Sequence, residues 1–210
     1  MVYRCGMDQI APPAAAGSRP RRNLATSLPN ILTYGRIVAV PALVAVLYFM
    51  QGDQAHLIAF AVFAAAGVTD WLDGYLARVW EQQSTLGRML DPIADKLLVG
   101  AALMMLVYDQ TIQGPAIFAA IVILCREILV SGLREFLAEL NVKIRVSRLA
   151  KWKTAVQMAA LGVLLAGPAA ERFAPGITTF GLAMLWLAAL LTLWTGYDYL
   201  KASVVRAIED

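Results

Sequence analysis

Residues 70–95 read DWLDGYLARVWEQQSTLGRMLDPIAD and carry four aspartates in two close pairs, Asp70 with Asp73 and Asp91 with Asp95. Each pair is three or four residues apart, so each shares one face of a helix. Apolar runs flank both pairs. An ionisable side chain costs about 2.5–3.5 kcal/mol at a bilayer centre on insertion scales. Four acids at the ends of membrane spans therefore ask for a compensating charge. Hard divalent cations such as Mg²⁺ take carboxylate oxygens, so metal answers that need economically. Taken alone, the carboxylates also fit an acidic cytoplasmic loop, the lesser of the two readings. The residues between them narrow the choice.

Working outward, the chain is 210 residues long, 60% hydrophobic and 16% charged, with a mean hydropathy of +0.63. That is too apolar for a soluble domain and indicates an all-α integral membrane protein. Residues 1–27 are rich in Pro, Ala and Arg and lack helical periodicity, which predicts a disordered cytoplasmic tail. No apolar stretch precedes a small-residue cleavage site there, so a cleaved signal peptide is not expected. Six transmembrane helices are expected, over about Asn30–Met50, Leu57–Val79, Leu86–Tyr108, Pro115–Leu140, Thr154–Ala166 and Ile177–Leu200. They form one membrane domain over residues 28–203, followed by a polar C-terminal tail over 204–210. The fifth apolar run is shorter than the ~20 residues a span needs.

Basic residues distribute unevenly over this layout. Arg4, Arg19, Arg21 and Arg22 lie in the N-terminal tail, and Arg78 and Arg88 bracket the second connection. Lys143, Arg145, Arg148, Lys151 and Lys153 fill the fourth connection, and Lys201 and Arg206 end the chain. The three opposite connections hold one basic residue, Arg172. By the positive-inside rule both termini and the aspartate loop face the cytoplasm of the cell inner (plasma) membrane. The active site then sits at the cytoplasmic ends of helices 2 and 3. Cys5 and Cys125 are far apart, and a disulfide is not expected. The single histidine, His56, makes histidine-based catalysis a poor fit.

The pattern D-x2-D-G-x2-A-R-x8-G-x3-D-x3-D holds without exception at Asp70, Asp73, Gly74, Ala77, Arg78, Gly87, Asp91 and Asp95. Two metal ions roughly 3.5–4 Å apart need several carboxylates, and two helix ends with two aspartates each supply them. Gly74 and Ala77 leave room on a helix face, either for a ligand or for another helix. Arg78 offers a planar fork to phosphate, or snorkels to the interface. A second cluster, REILVSGLRE at 126–135, places Arg126 and Arg134 little more than two turns apart, about 12 Å. Fixed cations in a polar pocket suit a phosphate dianion, but ion pairing with Glu127 or Glu135 also explains them.

Eight fixed positions at this spacing resemble the CDP-alcohol phosphotransferase family, and the six-span layout resembles it too. The resemblance implies that Asp70, Asp73 and Asp91 bind two Mg²⁺ or Mn²⁺ ions, and that Asp95 binds metal and serves as general base. It implies that Gly74, Ala77, Arg78 and Gly87 line the site of CDP-diacylglycerol. Asn30, Thr33 and Arg36, at the start of span 1, border the same site. The stretches PNILTYGRIVAVP, DPIADKLLV, REILVSGLREF and KWKT resemble one branch of the family, whose acceptor is sn-glycerol 3-phosphate. There Arg126, Arg134 and Lys151 match positions that grip the glycerol phosphate. Ala150 departs from the branch, which usually has glycine before that lysine. The expected activity is transfer of a phosphatidyl group from CDP-diacylglycerol to glycerol 3-phosphate, giving phosphatidylglycerol phosphate and CMP. A homodimer among membrane lipids, without nucleic acid, is the implied setting. Inositol phosphate, serine or phosphatidylglycerol are alternative acceptors. A divalent-cation transporter is a distant alternative, with no use for Gly74, Ala77, Arg78 and Gly87 and with acids usually nearer the midplane.

Overall fold

The computed structural model describes residues 28–80, 85–139 and 148–209. Side-chain surroundings are described for these except residues 28–30, 73–80, 85–86, 88, 138–139, 148–151 and 198–209. The expected N-terminal tail, residues 1–27, lies outside the described residues.

Six α-helices and no strands make up the described residues: α1 (Leu28–Phe49), α2 (Asp53–Trp80), α3 (Thr85–Tyr108), α4 (Ala116–Glu139), α5 (Arg148–Ala170) and α6 (Ile177–Glu209). Three helices run further than expected, α5 at both ends. The start of α2 takes in Asp53, an acid in the first turn where the positive end of the helix dipole favours it. The polar first turns of α5 extend it to 23 residues, so its apolar run understates its length. Likewise, α6 continues beyond Leu200 to Glu209, and most of the expected C-terminal tail is helical.

Among the described residues five helices are long and apolar enough to cross a bilayer: α1, α2, α4, α5 and α6. The exception is α3, whose first half carries Arg88, Asp91, Asp95 and Lys96 and leaves only residues 97–108 uncharged. Less than half of each crossing stretch is buried within the protein. Val38, Phe49, Met104, Phe118, Ile128 and Trp194 point outward, as side chains facing lipid do.

Small residues bring the helices together. Leu43 and Leu47 of α1, Ala59, Phe63 and Ala66 of α2, and Leu98, Ala102 and Leu106 of α3 belong to one buried core. They recur at helical spacing, so each helix turns one stripe inward. Leu161, Leu164 and Leu165 of α5 join Leu185, Ala188 and Ala189 of α6 in that core. A Cβ on Gly181 would stand 2.9 Å from Leu164 Cδ2, so glycine there permits the close α5–α6 approach.

The connections 50–52, 109–115 and 171–176 are short, and α1 packs on both α2 and α3. Consecutive helices therefore run in opposite directions. The starts of α1, α3 and α5 and the ends of α2, α4 and α6 meet at one end of the bundle. Thr33, Arg36, Asp70, Asp91, Asp95, Arg134 and Lys153 lie toward that end. At the other, His56 hydrogen-bonds the Leu165 carbonyl through Nδ1 at 3.2 Å and stands 3.7 Å from Asp109, which ties α2, α3 and α5 together.

Candidate active site

The acidic end is built around an arginine. Arg36, one turn into the apolar part of α1, is 1% exposed. Its Nη1 donates to Asp95 Oδ1 at 2.7 Å and its Nη2 reaches Asp70 Oδ1 at 2.8 Å. One planar guanidinium thus joins a carboxylate of α2 to one of α3. One turn nearer the N-terminus, Thr33 Oγ1 donates to Asp91 Oδ1 at 2.6 Å. The i, i+3 spacing of Thr33 and Arg36 puts both on the face of α1 turned toward α3. The Asp70 and Asp95 side chains remain 47% and 48% exposed. They are anchored by one oxygen and open toward a cavity.

That cavity has a volume of about 1050 Å³ and reaches from Arg36, Asp70 and Asp95 to Arg126, Glu127, Arg134 and Lys153. Its cationic end is as organised as its acidic end. Lys153, on the second turn of α5, is 3% exposed and pairs with Glu127. Arg126 Nη1 stands 3.4 Å from the same Glu127 oxygen, and its Nη2 donates to Thr195 Oγ1 of α6 at 3.0 Å. Arg134, two turns further along α4, is exposed and lines the same cavity. Two basic side chains, Lys153 and Arg126, therefore share one carboxylate, and a third, Arg134, lines the same cavity. Between α2 and α5 the cavity continues as an apolar groove along Phe60, Ala64, Gly67, Met158, Ala159 and Gly162.

The structure brings together Asp70, Asp95, Arg126 and Arg134 around one cavity, with Thr33 holding Asp91 beside it. Gly87 is buried in the first turn of α3. Asp73, Gly74, Ala77 and Arg78 lie on α2, Asn30 on α1 and Lys151 on α5, but their side-chain surroundings are outside the described residues. Sequence reasoning missed Thr195 and left Lys153 and Glu127 among the neighbouring charges without assigning them to the site. A lysine in a basic connector reads as an ordinary positive-inside residue, and only packing shows that Lys153 is buried. Its one signal was Glu127, an acid within an apolar helix that needs a partner.

The donor set suits a hard divalent cation, since Asp70 and Asp95 present half-exposed carboxylates to one cavity. Among the described residues no three acidic, histidine or cysteine side chains converge closely enough to cage an ion. The Asp73 side chain is outside them.

Comparison with known proteins matches residues 26–194 to the CDP-alcohol phosphatidyltransferase family. A CDP-diacylglycerol--glycerol-3-phosphate 3-phosphatidyltransferase of Rickettsia bellii is 43% identical over 176 residues, covering 84% of this chain and 94% of that protein. The protein of the same name from Haemophilus influenzae is 41% identical over 179 residues, covering 84% and 93%. A cardiolipin synthase (CMP-forming) of Oryza sativa subsp. japonica is 40% identical over 191 residues, covering 83% of this chain and 56% of that one. With the motif, the helical bundle and these matches in agreement, the chain belongs to the CDP-alcohol phosphatidyltransferase family.

Proposed function

We propose that this protein transfers the phosphatidyl group of CDP-diacylglycerol to sn-glycerol 3-phosphate, releasing CMP. The observation that carries the reading is the two-ended cavity, with carboxylates at Asp70 and Asp95 and basic groups at Arg126, Arg134 and Lys153. The basic end takes the phosphate dianion of the acceptor. The acidic end takes the nucleotide side of the lipid, and Asn30, Thr33, Gly74, Ala77, Arg78 and Gly87 are its binding residues in this reading. The apolar groove between α2 and α5 takes an acyl chain. The names borne by the relatives from Rickettsia and Haemophilus agree with this choice of substrates.

In the reaction, an acceptor hydroxyl oxygen bonds to the phosphorus that carries diacylglycerol. The bond from that phosphorus to the CMP oxygen breaks, and CMP leaves with the electron pair. Asp95 accepts the hydroxyl proton, and Arg36 fixes the carboxylate for that task through its other oxygen. Asp70, Asp73, Asp91 and Asp95 would hold two Mg²⁺ or Mn²⁺ ions, which supply positive charge at the pyrophosphate. Arg126, Lys151, Lys153 and Arg134 orient the acceptor by its phosphate.

All six helices cross the membrane in this reading, with Asp95 and Lys96 of α3 facing the cavity and Asp91 held by Thr33 of α1. Both termini and the active site face the cytoplasm of the inner membrane, and the enzyme works as a homodimer. The test is a competition assay on purified enzyme with CDP-diacylglycerol and equal glycerol 3-phosphate, inositol phosphate, serine and phosphatidylglycerol. Phosphatidylglycerol phosphate is the expected product, with activity lost to chelator and restored by Mg²⁺ or Mn²⁺. Cardiolipin, or an inositol or serine lipid, as the main product would overturn the acceptor assignment.

A further inference from the structure

Among the described residues, α6 contributes nothing to the wall of the cavity, yet it touches the arginine at the cavity's basic end. Arg126 Nη2 donates to Thr195 Oγ1 at 3.0 Å, and Thr195 is 1% exposed. The Thr195 hydroxyl has one proton and two lone pairs. Its proton goes back into the helix, to the Leu191 carbonyl at 2.9 Å with the Thr192 carbonyl at 3.2 Å. The hydroxyl is thereby oriented with a lone pair toward the guanidinium. The next residue removes an obstacle: a Cβ on Gly196 would lie 3.3 Å from Arg126 Cγ. The arginine stem therefore rests against the α6 backbone at a distance that a larger side chain would disturb. Thr195 sets the tip of Arg126, and Gly196 sets its stem.

We infer that Thr195 and Gly196 are positioning residues for the acceptor, acting through Arg126 to aim its guanidinium at the acceptor phosphate. This rests on the reading of Arg126 as a phosphate ligand. A loosened guanidinium keeps its charge but no longer presents its donors in one direction. The penalty should therefore fall on acceptor binding and leave lipid binding alone.

The experiment varies both substrates for Arg126→Ala, Thr195→Val, Thr195→Ser and Gly196→Ala in the full-length purified enzyme. Thr195→Val keeps the shape of the side chain and removes the hydroxyl. It is expected to raise the KM for glycerol 3-phosphate about fivefold or more, less than the loss of a charge-assisted bond made directly to the phosphate, because the hydroxyl acts through Arg126. The KM for CDP-diacylglycerol should stay within about twofold. Thr195→Ser should recover the wild-type KM, because it restores the hydroxyl without the methyl. Gly196→Ala, which leaves Thr195 intact, should raise the acceptor KM in the same direction. If Arg126→Ala raises the acceptor KM but Thr195→Val and Gly196→Ala do not, the positioning role is overturned and the phosphate reading stands. If Thr195→Ser behaves like Thr195→Val, or both substrates shift equally, the effect is packing and the inference fails. If Arg126→Ala leaves the acceptor KM unchanged, the phosphate reading itself fails and takes the inference with it.

Discussion

Arg36 donates a hydrogen bond of 2.7 Å to Asp95, a residue 59 positions later in the chain, from a side chain fully withdrawn from solvent. Its other terminal nitrogen holds Asp70 at 2.8 Å. The first helix therefore supplies the fixed cation against which the carboxylates of the second and third are arranged. A buried guanidinium is stable only with such partners, and two adjacent carboxylates repel without such a cation. The three residues therefore stabilise one another.

Replacing Arg36 with Gln leaves Asp70 and Asp95 facing each other without that cation. Removing one partner of a fully buried ion pair typically costs about 3–5 kcal/mol, and the half-exposure of Asp70 and Asp95 lowers that cost here. In chelator, Arg36→Gln is expected to lower the melting temperature in detergent by about 5 °C or more. Saturating Mg²⁺ should narrow the gap, because bound ions supply positive charge to the same oxygens. Turnover should fall at least about tenfold, since the Asp95 carboxylate loses its orientation. An unchanged melting temperature in chelator would show that the carboxylates do not depend on Arg36.

At the opposite end of the bundle, Glu171 caps the start of α6. Its Oε1 accepts from the Gly176 amide at 2.6 Å, and its Oε2 accepts from the Thr178 amide and hydroxyl. These bonds, the Gly176 amide first, hold the Glu171 carboxyl below the usual glutamate range. A group depressed in the folded state stabilises above its unfolded value and loses that contribution as pH falls through its folded value. Wild type should therefore melt above Glu171→Gln at pH 7, and the two curves should converge at pH values below the ordinary glutamate range. A gap independent of pH would assign the effect to packing. The effect should be modest, because the group is solvent-exposed.

Much of this was legible in the sequence, and the reasons are physical. Helices were visible because apolar runs of about 20 residues have few other uses. The acidic cluster was visible because Asp70, Asp73, Asp91 and Asp95 sit beside those runs, where charge is costly. Thr33 and Arg36 were legible only as neighbours of the site, since nothing local shows that α1 turns them toward Asp91 and Asp95. The length of α5 was hidden because its first turns are polar, and one of their charges, Lys153, is answered by Glu127 on another helix. The status of α3 was hidden for the converse reason. Its charges lie within one helix, and only contacts between helices show where they are answered.

The orientation rests on basic residues, and it has its own check. Single cysteines at Gln82 and Lys143, with Cys5 and Cys125 replaced by serine, should resist an impermeant thiol reagent in intact cells. Cysteines at Gln54 and Ala170, at the other end of the bundle, should react. The reverse pattern would place the active site outside the cytoplasm.

The division of labour across the cavity is tested most directly at Arg134. It lines the basic end but is exposed, so its loss should spare the fold. A charge-assisted hydrogen bond contributes roughly 1.5–3 kcal/mol, and about 1.4 kcal/mol is a factor of ten in binding. The measurement is the KM of Arg134→Ala for each substrate, with the other held saturating. The KM for glycerol 3-phosphate should rise about tenfold or more while that for CDP-diacylglycerol moves less than about twofold. A rise confined to CDP-diacylglycerol, or an equal rise in both, would contradict the assignment of the basic end to the acceptor phosphate.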